Sequence, residues 1–268
     1  MTDQHRRPRV GARRARRWRR LAGLLVMLGV VGGTYALVVP RPGVARAADP
    51  ALEREGEALY DTSCITCHGS NLQGIPNRAP SIVGAGQAAV YFQVSTGRMP
   101  LAEQGAQAQR KAPRFTPDQI DALGAFVQAH GGGPMTPAVS DEDLVGSDIS
   151  RGGELYRLNC AQCHNFTGRG GALSEGKVAP PLDPATPRQV YAAMLSGPGN
   201  MPVFSDGTLS PEEKRDVIGY IDAMKYHVAN SPGGLRIGGY GPTDEGFVAI
   251  VVGLGVLVAF SLWVGSRR

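Results

Sequence analysis

All four cysteines of this 268-residue chain fall within two copies of one short pattern, Cys-x-x-Cys-His. The first copy begins at Cys64 and ends at His68, and the second begins at Cys160 and ends at His164. Two thiols three residues apart lie on one helical turn and reach the two vinyl groups of a porphyrin, while the next imidazole lies under the iron. The pattern therefore predicts two covalently bound haem c groups. Their attachment residues are Cys64, Cys67, Cys160 and Cys163.

Other uses of four cysteines fit the pattern less well. An exported chain with four cysteines ordinarily suggests two disulfides. A Cys-x-x-Cys pair is also found in redox-active sites, and cysteine and histidine together bind zinc. None of these uses requires a histidine directly after both pairs. We therefore expect thioether attachment and no disulfide.

The two motifs are the centres of an internal repeat. Six residues around the first motif recur 96 positions later, and four residues beyond it recur at an offset of 100. The pair Met99-Pro100 recurs at an offset of 102, and Thr116-Pro117 recurs as Ser210-Pro211 at an offset of 94. The second copy has thus gained six residues before its Met-Pro pair and lost eight after it. The recurring residues are Gly56, Leu59, Tyr60, Cys64, Cys67 and His68, then Pro80, Val90, Tyr91 and Gly97.

The predicted fold class is all-α, with three helices around one haem in each of two tandem domains. Apolar spacing predicts helices over 52–62 and 152–158, and over 87–95 and 187–195. The closing helices begin with capping signals: Thr116 and Ser210 as N-caps, each followed by proline and completed by Gln119 or Glu213. The expected parts are residues 1–48 (basic tail and apolar helix), 49–130 (first domain), 131–149 (linker), 150–230 (second domain), 231–246 (tether) and 247–264 (membrane helix).

Each haem iron needs a second axial ligand besides its motif histidine. Met99 lies 31 residues beyond His68, and Met201 lies 37 residues beyond His164, each before a proline at a matching repeat position. A thioether on such a loop reaches the distal face of the porphyrin. We therefore predict the pairs His68/Met99 and His164/Met201, with a carbonyl near Pro80 and Pro180 accepting from each histidine. The rival ligands are Met135, Met194, His130 and His227, none of which has a repeat counterpart.

Arginine-rich termini flank two long apolar segments. Residues 1–20 contain nine arginines and one acid, and the chain ends in two further arginines. The uncharged segments 21–39 and 247–264 are each long enough to cross the hydrocarbon core of a bilayer as a helix. Because positive charge stays on the cytoplasmic side, we expect both termini in the cytoplasm and the residues between the two segments outside it.

The N-terminal segment has a second interpretation. A basic stretch, an apolar segment and the small-residue site at 45–47 also describe a cleavable signal peptide. In either case the middle of the chain is exported. Residues 21–266 carry 17 basic and 22 acidic side chains, so the basic charge of the whole chain lies at its ends. This distribution argues against nucleic acid as a partner.

Each repeat resembles a class I cytochrome c domain, on its Cys-x-x-Cys-His helix, its Met-Pro loop and its closing helix. The whole arrangement over residues 15–268 is similar to the dihaem cytochrome c subunit of the actinobacterial cytochrome bc1 complex. The resemblance implies a subunit of a menaquinol–cytochrome c reductase in the cytoplasmic membrane. It also implies the Rieske iron–sulfur subunit and the cytochrome b subunit as partners. Electrons would pass from the Rieske protein to an aa3-type cytochrome c oxidase.

Three other functions stay open at this point. A dihaem peroxidase needs one iron with an open axial position, which two methionine ligands do not leave. The chain also suits the haem subunit of another membrane dehydrogenase, or an anchored electron shuttle that acts alone. Catalysis without a cofactor is not expected, because the sequence contains no nucleophile triad, phosphate loop or paired-carboxylate motif.

Overall fold

The computed structural model describes residues 10–38, 49–103, 105–230 and 242–267 of a chain that divides into two compact units, 1–47 and 48–268. The first unit contains helix α1. The second contains the other helices and one small antiparallel ladder. In chain order the elements are α1 (Val10–Val38), α2 (Pro50–Ser63), α3 (Ile65–His68), α4 (Gly86–Ser95), α5 (Pro117–Gly131), α6 (Ile149–Asn159), α7 (Ala161–His164), β1 (Gly171–Ala172), β2 (Val178–Ala179), α8 (Pro187–Ser196), α9 (Pro211–Asn230) and α10 (Pro242–Gly265).

The helices predicted from apolar spacing are present, and their ends lie within three residues of the predicted ends. The predicted capping boxes are also confirmed. The Thr116 side chain accepts from the Gln119 N–H while the Gln119 side chain accepts from the Thr116 N–H. Ser210 and Glu213 make the same reciprocal pair at 3.2 Å and 2.7 Å. Each box satisfies two backbone donors that have no partner inside the helix.

Each domain is built on a close crossing of its first and last helices. Helix α2 crosses α5 at Gly56, where an added Cβ would lie 2.1 Å from the carbonyl oxygen of Ala122. Helix α6 crosses α9 at Gly152, where it would lie 2.0 Å from the carbonyl oxygen of Asp216. The two glycines are repeat counterparts, so the recurrence of glycine in the sequence reflects a backbone contact that any side chain would block.

A separate apolar core lies beside each crossing. The first core cluster consists of Tyr60, Leu72, Val94, Ile120, Leu123, Phe126 and Val127. The second core cluster consists of Leu144, Tyr156, Ala161, Val190, Tyr191, Met194, Phe204, Leu209, Val217, Ile218 and Ile221. Leu144 belongs to the stretch expected to link the domains, and it is 1% exposed, so this stretch packs on the second domain.

The two domains dock through equivalent helices, α4 of the first and α8 of the second. Their small and aromatic residues form an interface cluster. Arg188 of α8 places its guanidinium 4.1 Å from the centre of the Tyr91 ring and donates to Asp121 at 3.1 Å. Gln189 donates to the Ser95 hydroxyl at 3.2 Å. The interface cluster consists of Ala88, Phe92, Ala192 and Ala193.

The segments in which the two repeats differ meet at this interface. The side chain of Gln107, in the longer loop of the first domain, donates to the Val178 carbonyl at 2.9 Å and accepts from the Val178 N–H at 2.8 Å. Arg110 of the same loop donates to the Pro184 carbonyl at 2.8 Å. Val178 lies in strand β2, within the segment that is longer in the second domain. This β1–β2 ladder is a small exception to the expected all-α architecture.

The C-terminal helix α10 contains the predicted membrane segment. Within the described ranges, one helix is long and apolar enough to cross a bilayer, over Gly246–Gly265 with a mean hydropathy of 2.7. Its 20 residues span about 30 Å, the thickness of a hydrocarbon core. Helix α1 covers most of the other predicted segment, whose role as a retained anchor stays a prediction. The candidate cleavage site at 45–47 and residues 231–241 of the expected tether lie outside the described residues.

Candidate haem-binding sites

The attachment motif has the same local geometry in both domains. Helix α2 ends at Ser63 with Cys64 as its C-cap, and in the next turn, α3, the His68 nitrogen donates to the Cys64 carbonyl at 2.9 Å. In the second domain α6 ends at Asn159 with Cys160 as its C-cap, and the His164 nitrogen donates to the Cys160 carbonyl at 2.9 Å. This single turn carries both thiols and the histidine of each motif. The motif therefore forms a short helix of its own rather than an extension of the preceding one.

In each domain a buried tyrosine donates a hydrogen bond to the backbone carbonyl just after the motif. The Tyr60 hydroxyl donates to the Gly69 carbonyl at 2.7 Å, and the Tyr156 hydroxyl donates to the Asn165 carbonyl at 2.7 Å. Gly69 and Asn165 directly follow the two motif histidines and share a left-handed backbone, with φ of 76° and 67°. Burial, followed by the neighbouring Cys64 and Asp61, raises the pKa of Tyr60 to about 12. The phenol therefore stays a donor throughout the physiological pH range.

Each motif histidine is oriented by a proline carbonyl, as the sequence predicted. Nδ1 of His68 lies 3.0 Å from the carbonyl oxygen of Pro80, and Nδ1 of His164 lies 3.0 Å from that of Pro180. A carbonyl only accepts, so Nδ1 carries the proton and Nε2 keeps its lone pair. Burial lowers the pKa of His164, and the bond to Pro180 opposes that shift less strongly. A neutral imidazole with a free Nε2 is the form that binds a metal.

The predicted methionines lie at the edges of the two cores. Cys64 and Met99 both pack, partly buried, against the first core cluster. Cys160 and Met201 pack against the second core cluster, and Met201 also touches the interface cluster. In each domain, therefore, one motif cysteine and the predicted methionine pack against the same core cluster.

The rival methionines lie in different surroundings. Met194 is 2% exposed and enclosed within the second core cluster, as expected of a residue that fills a core. Met135 is 41% exposed beyond the end of α5. His130 packs its ring on Phe126 with centroids 4.4 Å apart, and its Nδ1 lies 3.0 Å from the Phe126 carbonyl. The side chain of His227 lies outside the described residues.

The thiols of the two motifs differ from those of a reactive redox pair. All four cysteines are free, with Cys67 and Cys163 exposed and Cys64 and Cys160 partly buried. Burial, followed by the second thiol of the motif, raises the pKa of Cys64 to about 11 and that of Cys160 to about 12. Redox-active Cys-x-x-Cys pairs instead have a thiol whose pKa is lowered.

These residues fit haem c. Two thiols lie on one turn, a histidine is fixed with Nε2 free, and a methionine lies on the same apolar surface. Further partly buried apolar side chains, such as Ile82 and Phe115, pack against the same first core cluster. Imidazole and thioether are the axial ligands found in cytochromes c.

Comparison with known proteins gives the same result for both domains. A family model described as Cytochrome c matches residues 53–131, and one described as Cytochrome C oxidase, cbb3-type, subunit III matches residues 147–221. The chain is 51% identical over 267 residues to the cytochrome bc1 complex cytochrome c subunit of Mycobacterium bovis, covering 96% of this chain and 95% of that protein. The subunits of the same name from Mycobacterium leprae and Corynebacterium efficiens are 51% and 50% identical, each covering 91% of this chain.

Two domains with this fold and this site define a c-type cytochrome that carries two covalently bound haem c groups. The chain belongs to the family of cytochrome bc1 complex cytochrome c subunits, and the resemblance drawn from its motifs is confirmed. Its activity is therefore electron transfer through haem.

Some features of the sites were not predicted from the sequence. Tyr60 and Tyr156 recur at the same offset as the motif, and this recurrence was their only signal. Each tyrosine acts through a hydrogen bond from its hydroxyl to the backbone carbonyl nine residues later in the chain. Arg98 gives no signal at all, because no arginine occupies the matching position before Met201.

Proposed function

We propose that His68 and Met99 are the axial ligands of the first haem iron and that His164 and Met201 are those of the second. The bond from each motif histidine to a proline carbonyl carries this proposal, because it leaves Nε2 as the ligand nitrogen in both domains. The attachment points are Cys64, Cys67, Cys160 and Cys163. Haem supplies one-electron transfer at its iron. The protein fills both axial positions, so that neither site has a position for oxygen or peroxide.

We further propose that the chain passes electrons from the Rieske protein of a menaquinol-oxidising bc1 complex to an aa3-type oxidase. The docking of α4 on α8 supports a path within the chain, because Met201 packs against the interface cluster to which both domains contribute. In this proposal the cytochrome b subunit is a further partner. The anchor α10 holds the haem domains on the outer face of the cytoplasmic membrane, with the C-terminus inside. Anchoring raises the effective concentration of partners in the same membrane.

The axial ligands are tested by replacing each methionine. In Met99→Ala and Met201→Ala we expect loss of about half of the sulfur-to-iron charge-transfer absorption, with one reduction potential lowered in each variant. Absorption spectra and potentiometric titration of the purified chain measure both effects. Met135→Ala serves as the matched control and should leave spectrum and potentials unchanged. An unchanged Met99→Ala or Met201→Ala protein would assign the ligand elsewhere.

The relay is tested by removing one haem from the assembled subunit. Membranes that contain Cys160→Ala with Cys163→Ala are assayed for menaquinol-driven oxygen uptake while any independent oxidase is blocked. We expect uptake through this branch to stop, and the same result for Cys64→Ala with Cys67→Ala, because both haems lie in one path. Immunoblotting shows whether the altered chain is assembled. Undiminished uptake with an assembled chain would favour the haem subunit of another dehydrogenase.

The orientation in the membrane has a direct test. Protease added to cells stripped of their wall should digest the haem domains, because the proposal places them outside the cytoplasmic membrane. A cytoplasmic protein serves as the control for intact membranes. Protection of both haem domains would contradict this orientation.

A further inference from the structure

Arg98, which directly precedes Met99, is a buried cation without a counterion. The residue is 7% exposed. Its Nη1 is fully buried and has no hydrogen-bond partner, and among the described residues Arg98 forms no ion pair. Isolating a guanidinium from water in this way costs several kcal/mol unless an anion or an acceptor compensates for it.

Among the described residues no carboxylate pairs with Arg98. Its guanidinium lies 4.9 Å from the centre of the Phe92 ring, a favourable contact that gives the N–H of the buried Nη1 no acceptor. Burial, and after it the positive charge of Arg110, lower the pKa of Arg98. Arginine nevertheless stays protonated in proteins. The fold therefore brings two positive charges together and buries one of them.

Other arginines with a buried, unbonded nitrogen are not in this situation. Arg169 and Arg188 each have an Nε without a partner. Their guanidinium groups, however, pair with Asp183 at 2.9 Å and with Asp121 at 3.1 Å. The matching position before Met201 is Asn200, which is exposed and accepts from Lys177 at 3.0 Å. The buried guanidinium is thus a property of the first repeat alone.

We infer that the Arg98 guanidinium binds a carboxylate of a bound haem. The inference rests on the proposed haem sites, because haem is the one cofactor proposed here and its two propionates are its anionic groups. Arg98 adjoins the proposed ligand Met99, and it contacts Phe92 of the interface cluster, which Met201 also touches. The carboxylate can therefore come from a propionate of either haem. Arginine matches a carboxylate with two parallel N–H donors.

This contact predicts a difference between the two haems. A propionate charge stabilises the oxidised iron, and a guanidinium that neutralises it favours the reduced form. Arg98 therefore raises the reduction potential of the haem that it contacts. Asn200 has no charge with which to do the same in the second repeat.

The test is potentiometric titration of the full-length chain in detergent, without any assay of turnover. In Arg98→Gln and Arg98→Met we expect the equilibrium constant for reduction of one haem to fall about tenfold. Arg98→Met retains most of the volume of the side chain, so it gives a second reading if Arg98→Gln accumulates poorly. Arg98→Lys keeps the charge and should restore most of the potential. Arg188→Gln is the matched control, since its guanidinium already has a carboxylate partner, and both potentials should stay as in the parent chain.

The outcomes show which haem supplies the carboxylate, and they distinguish failure of this inference from failure of the proposed haem sites. The Met99→Ala and Met201→Ala potentials assign each titration wave to a domain, so the wave that moves shows which haem supplies the carboxylate. Unchanged potentials in both neutral variants, with both haems bound, would overturn the inference. An equal fall in the lysine variant would also overturn it, because the effect would then come from packing and not from charge. Failure of the haem sites themselves would appear in the parent chain, as missing haem or missing sulfur-to-iron absorption.

Discussion

At the scale of single residues, the two haem sites depend on side chains that act on the backbone. Tyr60 and Tyr156 are almost fully buried, and each donates to the carbonyl that follows a motif histidine. The hydrogen bond fixes the end of the one-turn helix that carries both thiols. Loss of this hydrogen bond would move the motif histidine although the tyrosine does not bond to it. These tyrosines are therefore positioning residues.

Removing one tyrosine hydroxyl tests this role. We expect Tyr60→Phe to lower the free energy of unfolding by about 1–2 kcal/mol, because the buried Gly69 carbonyl loses its donor. The covalent haem content should be retained, with a broadened sulfur-to-iron band as the first motif loosens. Denaturant titration and absorption spectroscopy measure the two effects. Tyr220→Phe is the matched control, because this tyrosine is half-buried and its hydroxyl makes no hydrogen bond among the described residues. Equal stabilities of Tyr60→Phe and the parent chain would contradict a positioning role.

At the scale of elements, the helix crossings decide how each domain closes. Gly152 of α6 lies against the main chain of α9, and the buried Asp216 carboxylate at the same crossing accepts from Arg151 Nε at 2.6 Å. The crossing therefore combines a close backbone approach with an ion pair between a buried carboxylate and a partly exposed arginine. Neither partner helix can shift outwards without separating these charged groups from each other.

A methyl group at the crossing tests this geometry. We expect Gly152→Ala to destabilise the second domain by about 3 kcal/mol, since its Cβ would overlap the Asp216 carbonyl oxygen. The neighbouring variant Gly153→Ala gains the same helix propensity, but its Cβ would meet the Tyr220 ring at 3.0 Å, and a ring can move. Thermal unfolding followed at the haem absorption band compares the two. Equal midpoints would show that α6 and α9 have room for a side chain.

At the scale of the whole molecule, the two domains are joined by the parts in which they differ. The longer loop of the first domain contributes Gln107 and Arg110, and the β1–β2 segment of the second domain receives them. These hydrogen bonds add to the docking of α4 on α8, the equivalent helices of the two repeats. Together they hold the two haem sites in one body.

Removing these contacts should loosen the docking while leaving the sites intact. In the double variant Gln107→Ala with Arg110→Ala we expect amide hydrogen exchange over 171–179 to speed up about tenfold, as its hydrogen bonds across the interface are lost. Haem content and spectra should stay unchanged. Gln109→Ala, at an exposed position in the same loop, is the control. Unchanged protection of the Val178 amide would show that the α4–α8 packing alone holds the domains together.

The membrane attachment by α10 has its own prediction. A chain with residues 1–47 replaced by a cleavable export signal and a stop after Gly246 should be released as a soluble protein with both haems, because it lacks the apolar helix that is long enough to cross a bilayer among the described residues. The same N-terminal replacement with α10 intact is the control and should stay with the membranes. Fractionation and haem staining distinguish the two. A truncated chain that still sediments with membranes would show that another surface binds them.

The number of haems, the helices and their caps could be predicted from the sequence alone, because these features depend on residues close together in the chain. The attachment residues are predicted on the same local grounds. The Cys-x-x-Cys-His turns and the capping boxes are local, and an internal repeat confirms each local pattern with a second copy. The hydrogen bonds of His68 to Pro80 and of His164 to Pro180 were also predicted, since both pairs recur in the repeat.

Only the tertiary structure decided how the two domains meet and which polar groups are left without partners. The contact of Gln107 with Val178 spans 71 residues and joins segments that have no counterpart in the other repeat, so no periodic pattern marks it. The isolation of Arg98 likewise cannot be predicted from the sequence. An arginine is ordinarily expected to be exposed to solvent, and only the packing of its neighbours shows that Arg98 is buried. Burial depends on every neighbour in space, and the sequence orders residues only along the chain.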